Sequence, residues 1–299
     1  MAYEFTLSTE ILANGKKVVY AQRNNSSEPK FIVGRRTSYK GDMGLVNDMK
    51  NGPAYNPADY APMYGFWSYF IHPTAQAESS GAYNCLNTYD VAKFTFGFMQ
   101  FAAHVADGDF VKLFKNLLAL PNAKDYFPKL VVKDSRIFYV KSDGTLTQLE
   151  SSSSTQALMD YLNPTLTDIE TQEMICAARL VHWAINDPAH QRTQVDTAIQ
   201  HMKKNMISYH GTFGLDGVPA KICMLVCDIR HQGRGKNVVI ANALRTSGGY
   251  DKVFEKLCNI GLQAYPQRIT VLRSTITNLQ NTGILNKKYQ GSTNSFIDM

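Results

Sequence analysis

Glu78-Ser79-Ser80-Gly81-Ala82 is followed, twenty-two residues after its glutamate, by the Gln100 that closes Thr95-Phe96-Gly97-Phe98-Met99-Gln100. The pairing sets one carboxyl group ahead of a segment rich in aromatic and apolar residues. It supplies a glycine where backbone can approach a ligand, and it ends on an amide. A carboxyl among apolar neighbours holds its proton to higher pH than it does in water. Two readings stand at each position. Glu78 is either a proton donor or an exposed helix-end carboxylate. The 97–100 segment either lines a ligand or makes a core turn and a helix start in which Met99 fills space. Ser79 either holds the adjoining backbone or the carboxylate, or caps a helix.

Outward from this segment the pattern is largely helical. Tyr64 to Ile71 is almost wholly aromatic or apolar, and Pro73 interrupts it, since proline removes a helical hydrogen bond. A fresh turn then runs from Thr74 to Glu78. Asp90 is placed to cap a helix through Val91 to His104. Asp109 is placed to cap another, with Phe110, Leu113, Phe114, Leu117 and Leu118 as its apolar stripe. Upstream, 16–21 and 30–33 read as short strands bounded by turns, and 36–63 as irregular connection. Downstream, 127–149 switches to strand-like residues around the turn Ser142-Asp143-Gly144. Beyond 155, a capping box at Thr167 and Glu170 opens a helix, and further helices are expected at 191–206, 219–230, 236–246, 250–261 and 266–280.

These patterns predict a mainly α (α+β) chain. A small N-terminal β segment (1–35) precedes a helical domain (36–299) that carries a β-hairpin insertion at about 127–149.

The 299 residues are 44% hydrophobic and 19% charged, with a formal net charge of +6, enough for one large core and a mild preference for polyanions. Five cysteines without a framework argue against a disulfide-stapled fold, and Cys223 and Cys227 read as small core residues. Among the histidines and cysteines no second ligand pair completes a metal site, so no metal or cofactor is expected. The N-terminus lacks a signal peptide and no apolar run reaches eighteen residues, so synthesis in the cytoplasm without stable membrane insertion is expected.

A second cluster, Asp228-Ile229-Arg230-His231-Gln232-Gly233-Arg234-Gly235-Lys236, follows an apolar helix. Arg230 and Arg234 are candidates to grip acidic groups of a glycan or a phosphate. The other reading is a basic helix end with Gly233 as its stop. The P-loop pattern is missing. The basic and aromatic residues at 35–40 read as a solvated loop, so nucleic acid is not expected as a partner.

Glu78-Ser79-Ser80-Gly81 with the downstream Gly97-Phe98-Met99-Gln100 resembles the signature of the lysozyme-like superfamily, in particular goose-type lysozymes and lytic transglycosylases. The resemblance spans about twenty-five of the 299 residues. It implies a lysozyme-like helical core and cleavage of the β-1,4 bond between N-acetylmuramic acid and N-acetylglucosamine. Glu78 would be general acid, Gly97 and Phe98 would line the cleft through backbone, and Gln100 would hydrogen-bond near the acid. Asp90 falls one residue from a family acid, and Ala102 stands where another is carried. A lytic route needs only one carboxyl.

Peptidoglycan strands are then the expected partner, reached at the cell wall or periplasm by lysis or delivery, with a delivery apparatus or immunity protein as further candidates. A non-catalytic basic glycan-binding or virion protein on such a scaffold, and a chitosanase- or chitinase-like hydrolase, are the alternatives. On this reading Glu78→Gln abolishes peptidoglycan clearing with an almost unchanged melting temperature.

Overall fold

β-Branched and aromatic residues near the N-terminus build a larger sheet than the turn signals announce. The computed structural model describes residues 2–48 and 52–299. Strands β1 (Phe5–Ile11), β2 (Lys17–Arg23), β3 (Phe31–Tyr39) and β4 (Asp42–Asn47) form an antiparallel meander. Lys40 and Gly41, with φ of 54° and 97°, make the two-residue turn between β3 and β4. Positive φ at both positions matches the twist of the flanking strands. A bulge where β2 meets β3 leaves Val18, Val19, Val33 and Gly34 all buried. The short strands β5 (Leu86–Asn87), β6 (Thr95–Phe96) and β7 (Phe101–Ala102) extend the same sheet to seven strands in chain order.

This sheet corrects the expected fold class. Among the described residues the chain is 44% helix and 20% strand, a substantial α+β fold rather than a mainly α one around a lysozyme-like helical core. Strand pairing runs past residue 35 because the 36–47 segment folds as a hairpin and then offers its free edge to Leu86 and Asn87. The segment read as irregular therefore holds the end of β3, all of β4, and helix α1 (Pro57–Tyr64); its residues 49–51 lie outside the described ones.

The chain divides into two compact units, Met1–Ala54 with Ala82–Thr197, and Tyr55–Gly81 with Ala198–Met299. The first unit holds the seven-stranded sheet. It also holds helices α3 (Asp109–Leu118), α4 (Ala123–Tyr126), α5 (Gln156–Leu162) and α6 (Thr171–Asn186), the sheet β8 (Leu130–Lys133), β9 (Arg136–Val140) and β10 (Leu146–Gln148), and the start of α7 (Pro188–Phe213). The stripe Phe110, Leu113, Phe114 and Leu117 is buried, as its i, i+3, i+4, i+7 spacing requires. The 127–149 insertion has three strands, and the fully buried Glu150 beside it binds Lys115 at 3.0 Å, Arg136 at 2.8 Å and the Ile137 amide at 3.1 Å.

Three local expectations fail in this unit. Asp90 caps no helix; its carboxylate accepts from the Asn87 side chain at 3.0 Å and the Ala92 amide at 2.9 Å, which closes a turn. Gly97 to Gln100 is the loop of the β6–β7 hairpin, since φ of 87° at Gly97 and 52° at Gln100 cannot continue a helix. The Thr167–Glu170 capping box is also absent. Helix α6 begins at Thr171 without a side-chain cap, and the Thr167 hydroxyl pairs with Thr165 instead.

The second unit holds α1, α2 (Phe66–Ser79), the rest of α7, α8 (Ala220–Gln232), α9 (Asn237–Leu244), α10 (Tyr250–Cys258), α11 (Pro266–Asn281) and the hairpin β11 (Lys287–Gln290) and β12 (Ser295–Asp298). Residues Ile222 to Ile229 of α8 are all buried, so this helix is the core of its unit. Phe296 on β12 packs on Phe66, Trp67 and Phe70 of α2 with ring centroids 4.9–5.3 Å apart.

Pro73 does not break α2. It removes one hydrogen bond, at a cost of about 3 kcal/mol. Burial of Trp67, Phe70, Ile71 and Ala75 around it returns more than that, at roughly 1.5–3 kcal/mol for each large side chain. No helix among the described residues is long and apolar enough to cross a membrane.

Gln194 of α7 fixes the β6–β7 loop. Its carbonyl oxygen accepts the Phe98 amide at 3.0 Å, and its amide donates to the Tyr83 carbonyl at 3.0 Å, all fully buried. Gln194→Leu orphans both backbone groups. The expected loss is roughly 2–4 kcal/mol, read as a lower urea midpoint at constant slope.

Candidate functional site

The buried face of α2 runs through Trp67, Phe70, Ile71, Thr74 and Ala75, and the same 3.6-residue period puts Glu78 next on that face. Ser80 then takes the left-handed conformation at φ 55°. The amides of Ser80 and Gly81 return to the carbonyls of Gln76 and Ala75, so the helix ends one residue past the acid. Glu78 is thus held at a closed helix end with its side chain only 13% exposed.

Two elements of the same unit bring charges to it. Asp228 lies in the apolar helix α8 with no exposed surface, where an unpaired carboxylate would be prohibitively costly. Past α8, Gly233 adopts φ 72° and stops the helix. The Arg234 amide then returns to the Ile229 carbonyl, which folds the Arg234 side chain inward. Arg268 enters from the first turn of α11, which starts at Pro266.

One guanidinium nitrogen joins the acids. Arg268 Nη2 lies 2.8 Å from Glu78 Oε1 and 2.6 Å from Asp228 Oδ1. Arg234 Nη2 sits 3.0 Å from the other oxygen of Asp228, outside hydrogen-bond alignment, so this buried guanidinium is neutralised by charge but keeps its N–H groups unsatisfied. His231 Nε2 donates to Glu78 Oε1 at 3.3 Å, and the His201 ring stands 6.2 Å from the His231 ring.

The electrostatics follow from this geometry. Burial alone would push the Glu78 carboxyl up. The hydrogen bond and charge of His231, joined by those of Arg268, outweigh burial and hold it at about 2. Burial would push His231 down, and the Glu78 carboxylate more than reverses that, so the imidazole holds its proton above its ordinary value. Burial lowers Arg234 despite Asp228. The site in its resting form is an ionised glutamate against a protonated histidine, with Arg268 and Asp228 behind it.

The other expected site residues are distributed as follows. Ser79 Oγ donates to the Ala75 carbonyl at 3.4 Å, within its own helix. Arg230 is exposed and donates to the Gly235 carbonyl at 3.3 Å, so the basic-helix-end reading fits it, while Arg234 is buried in the charge cluster. Gly97, Phe98, Met99, Gln100 and Asp90 belong to the first unit.

Gly97 is required by packing: a Cβ there would stand 2.4 Å from Gln194 Oε1. Phe98 and Met99 are core side chains, and Gln100 donates to the Gly97 carbonyl at 3.0 Å. The Phe98 amide is engaged by Gln194, so it does not serve as a donor to a ligand. Sequence reasoning passed over His231 and Arg268 as partners of Glu78. The available signal was the 67–70–71–74–75–78 stripe, since an acid on a buried stripe demands a cation.

Asp228→Asn leaves Arg268 and Arg234 buried with half their countercharge. The expected loss is about 3–5 kcal/mol in urea unfolding. Glu78→Gln likewise strands Arg268 and His231, which revises the expectation of an unchanged melting temperature.

The pH dependence has a defined sign. Glu78 drops from an ordinary 4.5 to about 2, so its stabilisation, on the order of 3 kcal/mol, is complete above about 4.5 and is lost as pH falls to about 2. His231 is raised, so its share is present below 6.5 and is lost as pH rises through the raised value. The wild-type minus Glu78→Gln difference in unfolding free energy is expected to peak between these limits, and a difference independent of pH would contradict the pairing.

No family model, no curated protein and no solved structure matches this chain.

Proposed function

We propose that this protein cleaves the β-1,4 bond between N-acetylmuramic acid and N-acetylglucosamine in peptidoglycan, with Glu78 as the group that passes the proton. The observation that carries the reading is the Glu78–His231 contact, in which two buried groups hold one transferable proton 3.3 Å apart. The resemblance of residues 78–81 to lysozyme-like enzymes suggests the substrate class; residues 97–100 are taken up by packing against Gln194 and add no support.

Glycoside cleavage requires a proton on the departing oxygen while positive charge builds on the sugar ring. In the free protein that proton rests on His231. A bound polymer that displaces water from the pair raises the cost of keeping both groups charged, and this favours the neutral form. The proton moves from His231 Nε2 to Glu78 Oε1, and Glu78 gives it to the leaving oxygen. The carboxylate that re-forms faces Arg268 and neutral His231, ready to take a proton from the nucleophile in the second half.

Asp228 takes no proton; it holds Arg268 in place and is a positioning residue. One carboxyl suffices where the sugar's own N-acetyl or 6-hydroxyl group completes the reaction, and Asp90 is spent on its turn. Action at the cell wall after lysis or delivery belongs to the same proposal.

The test is digestion of purified peptidoglycan, with products resolved by mass spectrometry and folding checked by circular dichroism. Wild-type protein is expected to release anhydro-muropeptides or new reducing ends. Glu78→Gln is expected to release none at a temperature where it remains folded. His231→Asn is expected to lose at least tenfold in kcat and to lose the wild-type alkaline limb, which falls as pH rises through the raised His231 value. Full activity in folded Glu78→Gln, or no product from wild type on peptidoglycan, rejects the reading; products from chitosan alone move the substrate to the chitosanase-like alternative.

A further inference from the structure

Helix α6 buries Cys176, Ala177, Leu180, Val181, Trp183 and Ala184 and leaves Arg179 half-exposed beside them. This arginine has no carboxylate partner among the described residues. It sits 5.7 Å from the centre of the Phe127 ring, its Nε has no hydrogen-bond partner among the described residues, and the guanidinium acts on the Tyr161 phenol by charge and by a hydrogen bond. A guanidinium in such a place is normally matched by a carboxylate or phosphate fork.

Arg179 lines a pocket of about 460 Å³ in the first unit, together with Lys129, Tyr139, Asp160, Tyr161 and Gln172. The volume lies in the range of small-molecule sites. Lys129 Nζ stands 5.9 Å from the Tyr139 ring centre and pairs with no carboxylate among the described residues. The one acid in the wall is already taken: Asp160 binds Lys93 at 2.5 Å and accepts from the Gln156 side chain at 2.9 Å. Two cations therefore face the pocket without a countercharge. Tyr139 and Tyr161 form its aromatic wall, with centroids 5.8 Å apart and planes tilted by 52°.

We propose that this pocket binds a sugar ring bearing a carboxylate, with Arg179 and Lys129 taking the carboxylate and the two tyrosines the C–H face of the ring. The tilted tyrosines suit a puckered ring with C–H groups on more than one side better than a flat one, which prefers parallel or edge contacts. Asp160 at the wall weighs against a phosphate dianion, which it repels more than a carboxylate. The site is separate from the Glu78 cluster and does not rest on the glycosidase reading.

The test is titration followed by NMR of the arginine Nε–H signals, assigned to Arg179 by its loss in Arg179→Met. The probes are N-acetylmuramic acid, glucuronic acid, N-acetylglucosamine, acetate, benzoate and inorganic phosphate. Both acidic sugars are expected to shift the Arg179 signal. N-acetylglucosamine, acetate, benzoate and phosphate are each expected to bind at least tenfold more weakly. Tyr139→Ser, read by the same signal, and Arg179→Met, read by calorimetry, are each expected to weaken the acidic sugars at least tenfold.

Equal binding of the neutral sugar, of benzoate or of phosphate overturns the assignment, as does no shift with either acidic sugar. The wild-type comparison decides this even if a variant fails to fold. No acidic-sugar binding by wild-type protein that still cleaves peptidoglycan would reject this site alone.

Discussion

The second unit turns on Arg268 Nη2, the nitrogen shared between Glu78 of α2 and Asp228 of α8. Each acid alone would be intolerable where it lies. Asp228 is fully buried in α8, the core helix of the unit, and Glu78 continues the stripe that packs α2. One arginine from α11 answers both, so three helices share a single electrostatic joint. Its worth is better judged by removal than by formation. Desolvating five charged groups consumes most of the attraction among them, whereas deleting any one leaves the rest buried and unmatched. The joint therefore fixes the orientation of the Glu78 carboxylate more firmly than it stabilises the unit.

That orientation sets the chemistry. An acid on an apolar helix face was expected to be a raised, proton-holding carboxyl. The residues that make the burial tolerable also remove the proton, because Arg268 and His231 both favour the ionised form. The proton has not left the site; it has moved one partner over, to an imidazole whose own affinity is raised by the same contact. The pair titrates as a unit, and the location of its proton depends on how wet the pair is.

Local periodicity in the sequence carried the helices that begin or end on clear signals. The Phe110–Leu117 stripe of α3, the Pro266 start of α11 and the turn at Asp143-Gly144 are cases where neighbours decide the structure. The short strands β5 to β7 have two residues each, too few for any alternation, and exist because β4 offers them an edge. Gly97 was legible as a residue that needs its lack of a side chain, but not why. The reason is Gln194, which lies close in space and far along the chain. The site was half legible for the same reason. Glu78 stands out from the residues around it, while Arg268 is supplied by a helix whose sequence says nothing of an acid near residue 78.

A second buried glutamate in the same chain separates depth from charge. Glu173 of α6, in the first unit, has no exposed surface. The Thr88 hydroxyl meets its Oε1 at 2.5 Å, and its Oε2 has no hydrogen-bond partner among the described residues. Burial drives its carboxyl up to about 7, and hydrogen bonds from Thr88 and backbone and the charge of Arg36 only partly oppose this. Glu78 is also enclosed and falls to about 2. The two residues share side chain and burial and differ in what faces them, a hydroxyl in one case and two cations in the other. Depth raises a carboxyl and adjacent cations lower it, and at hydrogen-bond distance two cations win. On the proposed function, a proton delivered from Glu78 must therefore come from a neighbour that still has one. Of the two cations in contact with it, Arg268 does not release a proton at any pH the protein experiences, which leaves His231.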